Sequence, residues 1–401
     1  MMNISKLPPP TTIPPHTAVS RATKQECGLE TKKPRNSNLE LYRIICMLMI
    51  VAHHYVVNSG LCASDGPMMS NLLSANSIYL ALFGAWGKVG INCFMLITGY
   101  FMCTSQITLR KFLKLIGQIY LYKLLLFPLL LVCGYESFSL TRLVKVLSPV
   151  WGFNSNFTSC FLVFWLTIPF WNILVHNMSK RQHELLLILL LLCYTLLGSV
   201  PRFNVTFNYI SWFGIIYLIA SYIRLYPASL YERKGFWAWM TVISLVLALA
   251  SIVAMQWLFA PDLLNHSYFF VRDSNKLFAV VFAVCSFLWF KNMDIKYSKV
   301  INAFGAGTFG VLLIHANSDA MRTWLWKDFV DCVGHYSLPL GNLILYSEGV
   351  VLAIFVICNL IDQLRINTLE KWFFKWYDNK YADKAEAFVS RIINGKQKAS
   401  L

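Results

Sequence analysis

The sequence predicts an all-α polytopic membrane protein, a single bundle of about ten transmembrane helices with both termini in the cytoplasm. Of its 401 residues, 57% are hydrophobic and only 13% are charged, whereas soluble domains carry about 25% charged residues. Apolar stretches of about 20 residues, enough to cross a bilayer, recur along the chain. Most Lys and Arg residues fall in alternate connecting segments, which the positive-inside rule places in the cytoplasm together with both termini.

Three regions follow from this pattern. Residues 1–38 are polar and proline-rich and predict a disordered cytoplasmic tail. Residues 39–363 form the predicted ten-helix membrane domain. Residues 364–401 mix basic and aromatic side chains at helical spacing, which predicts an amphipathic cytoplasmic tail on the inner leaflet. The predicted spans lie near 39–58, 80–102, 112–133, 159–177, 184–200, 209–224, 236–259, 276–290, 301–318 and 343–363.

Charge and cysteine content exclude two other classes. The net charge of +16 is explained by basic inner loops, so we do not expect nucleic-acid binding. The eleven cysteines are scattered singly, without metal-ligand spacing. We therefore expect neither a metal site nor a disulfide framework.

The first span, "ELYRIICMLMIVAHHYVV", carries groups that lipid disfavours. Arg43 and His54 are 11 residues apart, about three helical turns, and share one face. Glu40 lies within about 60° of both, and His53 points about 100° away from His54. Ionisable side chains at membrane depth indicate a functional site. The alternative is an interfacial pair of Glu40 with Arg43 and two histidines that only hydrogen-bond to neighbouring helices.

Three stretches, in this order, carry a resemblance to a known family. They are Arg43 followed by ten residues and His54, "GKVGINCFMLITGYF" at 87–101, and "FGAGTFGVLLIHANSD" at 304–319. Together they resemble membrane acyltransferase family 3, the bacterial O-acyltransferases of surface glycans, over about residues 35–365. The resemblance implies an enzyme of the cytoplasmic (inner) membrane. It would move an acyl group, usually acetyl, from cytosolic acyl-CoA to a hydroxyl of a surface polysaccharide or lipid-linked sugar, without a further cofactor.

The resemblance also implies roles for the first span. His54 would be the general base or acyl relay, a task that suits a side chain titrating near neutral pH. Arg43 would bind the anionic end of the donor or position the histidine. Glu40 stands where the family usually has an acidic residue.

Donor binding is expected near the basic cluster after the second span. Arg110, Lys111 and Lys114 lie where the phosphates of acyl-CoA would arrive, and Tyr100 belongs to the family's second-span signature. This cluster departs from the family's Arg-x-x-Arg pair, and lysine binds phosphate without the bidentate fork of arginine. The alternative is that these residues only obey the positive-inside rule.

The acceptor or a proton relay is expected at the outer side. Lys88 lies among small residues, where it could contact the acceptor or simply snorkel to the interface. His315, Asp319 and Arg322 follow each other at i, i+4 and i+7, which predicts one face of the ninth span. A charge network at a helix end is the alternative for these three residues.

Two other function classes remain at this stage. A transporter or flippase could use Arg43, His54 and His315 in a proton or substrate pathway. Such proteins usually show internal repeats or paired broken helices, and the sequence contains no convincing repeat. A membrane sensor or scaffold protein would explain the composition but not the spacing of Arg43 and His54.

Overall fold

Every regular element in the described part of the chain is helical. The computed structural model describes residues 35–153, 156–203, 205–259 and 266–382, together with Lys384 and Ala387. The helices are α1 (Ser37–Val57), α2 (Pro67–Ser70), α3 (Ala75–Gly84), α4 (Gly87–Met102), α5 (Leu109–Val132), α6 (Leu140–Leu147), α7 (Phe157–Asn177), α8 (Lys180–Leu191), α9 (Tyr209–Leu225), α10 (Lys234–Phe259), α11 (Leu277–Lys291), α12 (Lys299–His315), α13 (Asp319–Arg322), α14 (Leu340–Arg365) and α15 (Lys371–Lys380).

The helices confirm the predicted class of a multi-pass membrane protein. Seven helical segments of the described chain are long and apolar enough to cross a membrane, or eight if the bent pair Lys299–His315 and Asp319–Phe329 counts as one span. Two shorter apolar helices, α9 and α11, have 17 and 15 residues, fewer than the roughly 20 that a perpendicular crossing needs. Each predicted span overlaps one of these segments. The count of ten and the cytoplasmic termini stay predictions.

Helix α1 lies at the centre of the bundle, packed against α3, α4, α11, α12 and α14. It begins at Ser37, where the Asn36 side chain accepts a hydrogen bond from the Asn38 backbone N–H at 2.9 Å and so caps the helix. Where α1 meets α4, a Cβ on Gly90 would come within 2.8 Å of Ile50 Cγ1. Such close contact between helices encloses the polar side chains of α1 away from lipid.

The two terminal tails differ in extent from the prediction. Residues 37 and 38, assigned to the tail, are the buried first turn of α1, and residues 1–34 lie outside the described residues. At the other end, α14 continues through a π-helical turn, Ile366–Glu370, into α15. One helical segment therefore runs from Leu340 to Lys380, so 364–380 extends the last helix and is not a separate tail helix.

The ninth span is broken. Helix α12 ends at His315 and does not continue to residue 318, and the chain turns by 95° between Lys299–His315 and Asp319–Phe329. Ser318 begins the next helix, because its hydroxyl oxygen accepts a hydrogen bond from the Met321 backbone N–H at 3.2 Å. His315 is therefore the last residue of an apolar helix, at a bend of the chain.

Helix α6 folds back along α5. The Tyr120 hydroxyl donates a hydrogen bond to the Leu147 carbonyl at 2.8 Å, so the C-terminal end of α6 lies beside the middle of α5. Leu140 and Leu147 lie on one exposed face of α6. Arg142 and Lys145 lie on the opposite face, along the cavity described below. This amphipathic helix occupies a stretch that the sequence predicted only as a loop between spans.

Candidate active site

A cavity of about 1020 Å³ lies inside the bundle beside α1. Residues of α4, α5, α6, α7, α9, α12 and α13 also line it. We call the end at which α1 begins the inner end, and there Arg35 and Arg43 line the cavity; His53 and His54 line it further along α1. The volume is at the upper limit of the roughly 300–1000 Å³ of ligand pockets.

Arg43 and His54 do share one face of α1, as their spacing predicted. Both side chains line the cavity, and the rise between them is about 16 Å along the helix. Because the cavity is continuous over this distance, a ligand bound at the arginine can extend to the histidine. The face of α1 that carries Arg43 and His54 therefore lines a cavity within the bundle.

Glu40 lies behind the part of α1 that lines the cavity. It is buried, and its Oε1 lies 2.9 Å from Arg43 Nη1 and 3.2 Å from Arg35 Nη1. The carboxylate fits because α12 has no side chain at Gly305, where a Cβ would come within 2.4 Å of Glu40 Oε2. Glu40 thus pairs with two arginines that line the cavity, and its own side chain does not line it.

His54 and His315 form a hydrogen-bonded pair between α1 and α12. His315 Nδ1 lies 2.6 Å from the Val311 carbonyl oxygen, and His315 Nε2 lies 2.9 Å from His54 Nδ1. A carbonyl only accepts, so His315 Nδ1 carries a proton and donates it to Val311. With both rings neutral, His315 Nε2 accepts the hydrogen bond from His54 Nδ1. His54 Nε2 is then left with a free lone pair.

His53 differs from its neighbour. Its Nδ1 lies 2.5 Å from the Gly84 carbonyl oxygen, to which it donates. Its ring packs on Gly87, where a Cβ would come within 2.2 Å of His53 Cδ2. His53 therefore connects α1 to the end of α3 and the start of α4, although part of its surface also faces the cavity.

Lys88 lines the cavity near the start of α4. Its Nζ donates a hydrogen bond to the Tyr209 hydroxyl at 2.5 Å and lies 5.1 Å from the centre of the same ring. Within the described residues it forms no ion pair, so its charge faces the cavity without a carboxylate partner. The snorkelling alternative does not describe this contact.

The predicted helical face of His315, Asp319 and Arg322 does not exist, because α12 ends at His315 and the chain bends before Asp319. His315 is 1% exposed and contacts His54. Asp319 and Arg322 form their own pair at 2.8 Å on α13, and both line the cavity. The structure thus separates the three residues into a buried partner of His54 and a polar pair at the cavity wall.

The three basic residues at the start of α5 lie in different environments. Arg110 does not line the cavity; it makes two hydrogen bonds, of 3.1 and 2.9 Å, to the Asp378 carboxylate on α15. Lys114 lines the cavity, but its Nζ lies 2.5 Å from Glu370 Oε1. Lys111 lines the cavity, and its Nζ donates to a backbone carbonyl at 2.7 Å.

Tyr100 lies away from the cavity wall. Its hydroxyl accepts a hydrogen bond from Arg224 Nη1 at 2.9 Å, and the Arg224 guanidinium lies 4.8 Å from the centre of its ring. Tyr100 therefore connects α4 to the end of α9. Among the four residues predicted to bind the donor, Lys111 is the one that faces the cavity and makes no ion pair within the described chain.

The sequence did not point to a buried network between α5 and α14. Asp362 Oδ1 accepts hydrogen bonds from Tyr122 at 2.7 Å, Gln118 at 3.2 Å and Arg365 at 2.6 Å. Arg365 continues to Glu370 at 2.6 Å. Because Gln118 lines the cavity, this network fixes part of its wall. Asp362 lies inside a predicted apolar span, the same signal that drew attention to Arg43.

Most of the chain, including the helices that line the cavity, matches a known protein family. The acyltransferase-domain model of acyltransferase family 3 matches residues 36–361. The chain belongs to acyltransferase family 3. No curated protein and no solved structure gives a match.

As a family 3 acyltransferase, the chain is an enzyme of a multi-pass membrane family, which favours this class over the transporter and scaffold alternatives. The matched region begins next to α1 and includes both histidines of the pair. It ends at residue 361, so Arg365, Glu370 and Asp378, with their contacts to α5, lie beyond it.

Proposed function

We propose that the protein is an integral-membrane O-acyltransferase that moves an acyl group, most simply acetyl, from cytosolic acyl-CoA to a hydroxyl of a surface polysaccharide or a lipid-linked sugar. The observation that carries the proposal is the histidine pair in the cavity. His54 Nε2 has a free lone pair because His315 fixes the other ring nitrogen, and a cavity continuous with Arg43 gives substrates access to it.

The donor is expected to enter from the inner end. Arg35 and Arg43 share one carboxylate, that of Glu40, and Lys111 makes no ion pair among the described residues. The inner part of the cavity therefore keeps positive charge that attracts the phosphates of acyl-CoA. With its anionic part there, the extended thiol arm of the donor reaches along α1 toward His54.

In the proposed reaction, His54 Nε2 removes the proton of the acceptor hydroxyl as its oxygen attacks the thioester carbonyl carbon. A carbon–oxygen bond forms, the carbon–sulfur bond breaks, and the thiolate leaves with the proton from His54. His315 keeps the His54 ring in the required tautomer and orientation, as a buried partner does in other catalytic pairs. Lys88, close to the same part of the wall, is suited to stabilise the negative oxygen of the transition state.

The test compares two adjacent histidines with the same substitution. His54→Gln and His53→Gln are expressed to equal levels in membranes, and the release of free CoA thiol from acetyl-CoA is measured with a sugar acceptor. Base-labile acetyl on the cell-surface glycan, measured by mass spectrometry, is the second readout. His54→Gln is expected to lower the rate by about 10² to 10⁴, the usual contribution of a general base.

His53→Gln is the matched control, because the glutamine amide can still donate to the Gly84 carbonyl. It is expected to retain most of the activity. If both variants transfer acetyl at the wild-type rate, the assignment of His54 as the base is wrong. If wild type releases no thiol with any sugar acceptor, the O-acyltransferase proposal itself fails.

A further inference from the structure

We infer that the side of the cavity formed by α5 and α6 is a lateral opening that binds the phosphate group of a lipid-borne acceptor. This inference rests on the proposed function and selects one acceptor class, a sugar carried on a membrane lipid phosphate. Helix α6 has one exposed apolar face and one face on the cavity. This arrangement, and two cavity lysines that make no ion pair among the described residues, support the inference.

Helix α6 has the two faces that such an opening needs. Its outer face carries Leu140, Val144 and Leu147, which are 73%, 44% and 50% exposed. Its opposite face carries Arg142 and Lys145, which line the cavity. The end of this helix packs beside the middle of α5, a helix long and apolar enough to cross a membrane, so we expect α6 at membrane depth. A lipid chain can therefore lie along its outer face while a polar head group enters the cavity.

The side of α6 that faces the cavity carries excess positive charge. Arg142 is paired with Glu136, but Lys145 makes no ion pair among the described residues and lies 5.8 Å from the centre of the Trp151 ring. Lys123 on α5 likewise has no carboxylate partner in the described chain, and its Nζ lies 3.5 Å from the Ser148 carbonyl oxygen. Cations at membrane depth are costly unless an anion or water reaches them, and a phosphate is an anion that lysine binds well.

The position of these lysines favours a phosphate borne by a lipid. Both line the same cavity as His54, so a sugar attached to the phosphate can approach the histidine without leaving the protein. The neighbouring surface of α5 is apolar and exposed, with Leu124, Leu125 and Leu129 at 49%, 56% and 51%. A hydrocarbon chain is the ligand that fits beside this surface.

The experiment uses the full-length protein in nanodiscs of zwitterionic phospholipid, with a long-chain isoprenyl phosphate as the probe. Binding is followed by native mass spectrometry over a concentration series. The double variant Lys123→Gln/Lys145→Gln is expected to bind the probe about a hundredfold more weakly, since each of the two charge-assisted contacts contributes about one order of magnitude. Lys375→Gln on α15, an exposed lysine away from the cavity, is the matched control and is expected to bind the probe as wild type does.

Two further measurements separate this inference from the proposed function. Excess inorganic phosphate is added as competitor, and transfer of acetyl to a water-soluble sugar is assayed in the same nanodiscs. Weaker probe binding in the double variant, little competition by inorganic phosphate and unchanged His54-dependent transfer to the soluble sugar support the inference.

Equal probe binding by wild type and the double variant overturns the inference and leaves the proposed function intact. Complete displacement by inorganic phosphate overturns it as well, because the site would then be one for free phosphate. If the wild-type protein transfers no acetyl to the soluble sugar, the proposed function fails. Any lysine-dependent binding would then mark a lipid site with no acceptor role, which also overturns the inference.

Discussion

His54 Nδ1 and His315 Nε2 lie 2.9 Å apart across the contact between α1 and α12. The direction of this hydrogen bond is set from outside the pair, because the Val311 carbonyl accepts from the other nitrogen of His315. A backbone carbonyl in α12 therefore determines which nitrogen of His54 is free to react. His315 occupies the last helical position of α12, directly before the bend in the chain.

His315 is therefore expected to be a positioning residue with a large effect on turnover. His315→Leu removes the acceptor for His54 Nδ1, so the ring can rotate or exchange tautomers. We expect kcat to fall by about 10- to 100-fold, the usual cost of losing a residue that orients a catalytic histidine, with the KM for acyl-CoA nearly unchanged. Steady-state kinetics on purified protein measures both parameters.

The matched variant for this prediction is His315→Gln, whose amide oxygen can accept the bond from His54. It is expected to recover part of the lost kcat, whereas a purely structural role for His315 would give two variants of equal activity. A rise in the KM for acyl-CoA with kcat retained would contradict the prediction, because it would place His315 in donor binding.

The helical, multi-pass class was largely predictable, because a bilayer requires apolar helices of a set length. Every predicted span coincides with an apolar helical segment. Two features went beyond the predicted spans. The bend after His315 is accompanied by the local cap of Ser318 on Met321, whereas the return of α6 along α5 rests on a contact between two segments, the hydrogen bond from Tyr120 to Leu147, which no local pattern encodes.

The part of the site that lies on a single helix was predictable from residue spacing. Arg43 and His54 share a face of α1, and a spacing of 11 residues is enough to place both along one cavity. The partners of predicted residues were not predictable. Nothing in the spacing indicates that Glu370 pairs with Lys114 or that Asp378 pairs with Arg110, because these contacts join segments more than 250 residues apart.

The absence of a side chain at Gly305 is expected to be essential for the position of the Glu40 carboxylate. In Gly305→Ala the new methyl would lie within 2.4 Å of Glu40 Oε2 and 3.0 Å of its backbone oxygen, so α1 and α12 must separate. We expect a loss of about 1–3 kcal/mol in stability, as for other overpacked sites, together with reduced activity because Arg43 is displaced. Thermal unfolding of the purified protein gives the first quantity.

A glycine in open space provides the control for this change. Gly349, within α14, has nothing within 4 Å of an added Cβ, and alanine favours helix there by up to about 1 kcal/mol. Gly349→Ala is expected to keep or raise the melting temperature. Equal melting temperatures and activities for both alanine variants would show that the Glu40 contact tolerates a larger residue.

The two carboxylates that pair with arginines near α5 are expected to differ in their contribution to stability. Asp362 is 0% exposed and Arg365 is 7% exposed, so Asp362→Asn leaves a buried guanidinium with a weaker partner. Breaking such a pair costs about 3–5 kcal/mol. Asp378 and Arg110 are 45% and 43% exposed, and Asp378→Asn is expected to cost at most about 1 kcal/mol.

Thermal unfolding in one detergent at one salt concentration measures both variants. The Asp362→Asn protein is expected to melt well below wild type and the Asp378→Asn protein close to it. If the order is reversed, the buried network does not hold α5 to α14, and the exposed contact with α15 is the stronger attachment.

Donor binding is expected to depend on Lys111 more than on Arg110, although the sequence groups them. Lys111 faces the cavity, and its ammonium makes no ion pair in the described chain, whereas Arg110 is held by both oxygens of Asp378 outside the cavity. A phosphate that binds at the inner end can therefore reach Lys111 without breaking an existing pair. Lys111→Gln is expected to raise the KM for acyl-CoA by about tenfold, corresponding to ~1.4 kcal/mol, and to leave kcat nearly unchanged.

Arg110→Gln is the matched control, with the same substitution at the adjacent residue, and its KM is expected to stay within about twofold of wild type. The increase in KM for Lys111→Gln should shrink at high salt, because added ions already screen the attraction between lysine and phosphate in the wild-type enzyme. A larger effect at Arg110 than at Lys111 would mean that the donor displaces Asp378 on binding. In that case α15 would move away from α5 in the complex with acyl-CoA.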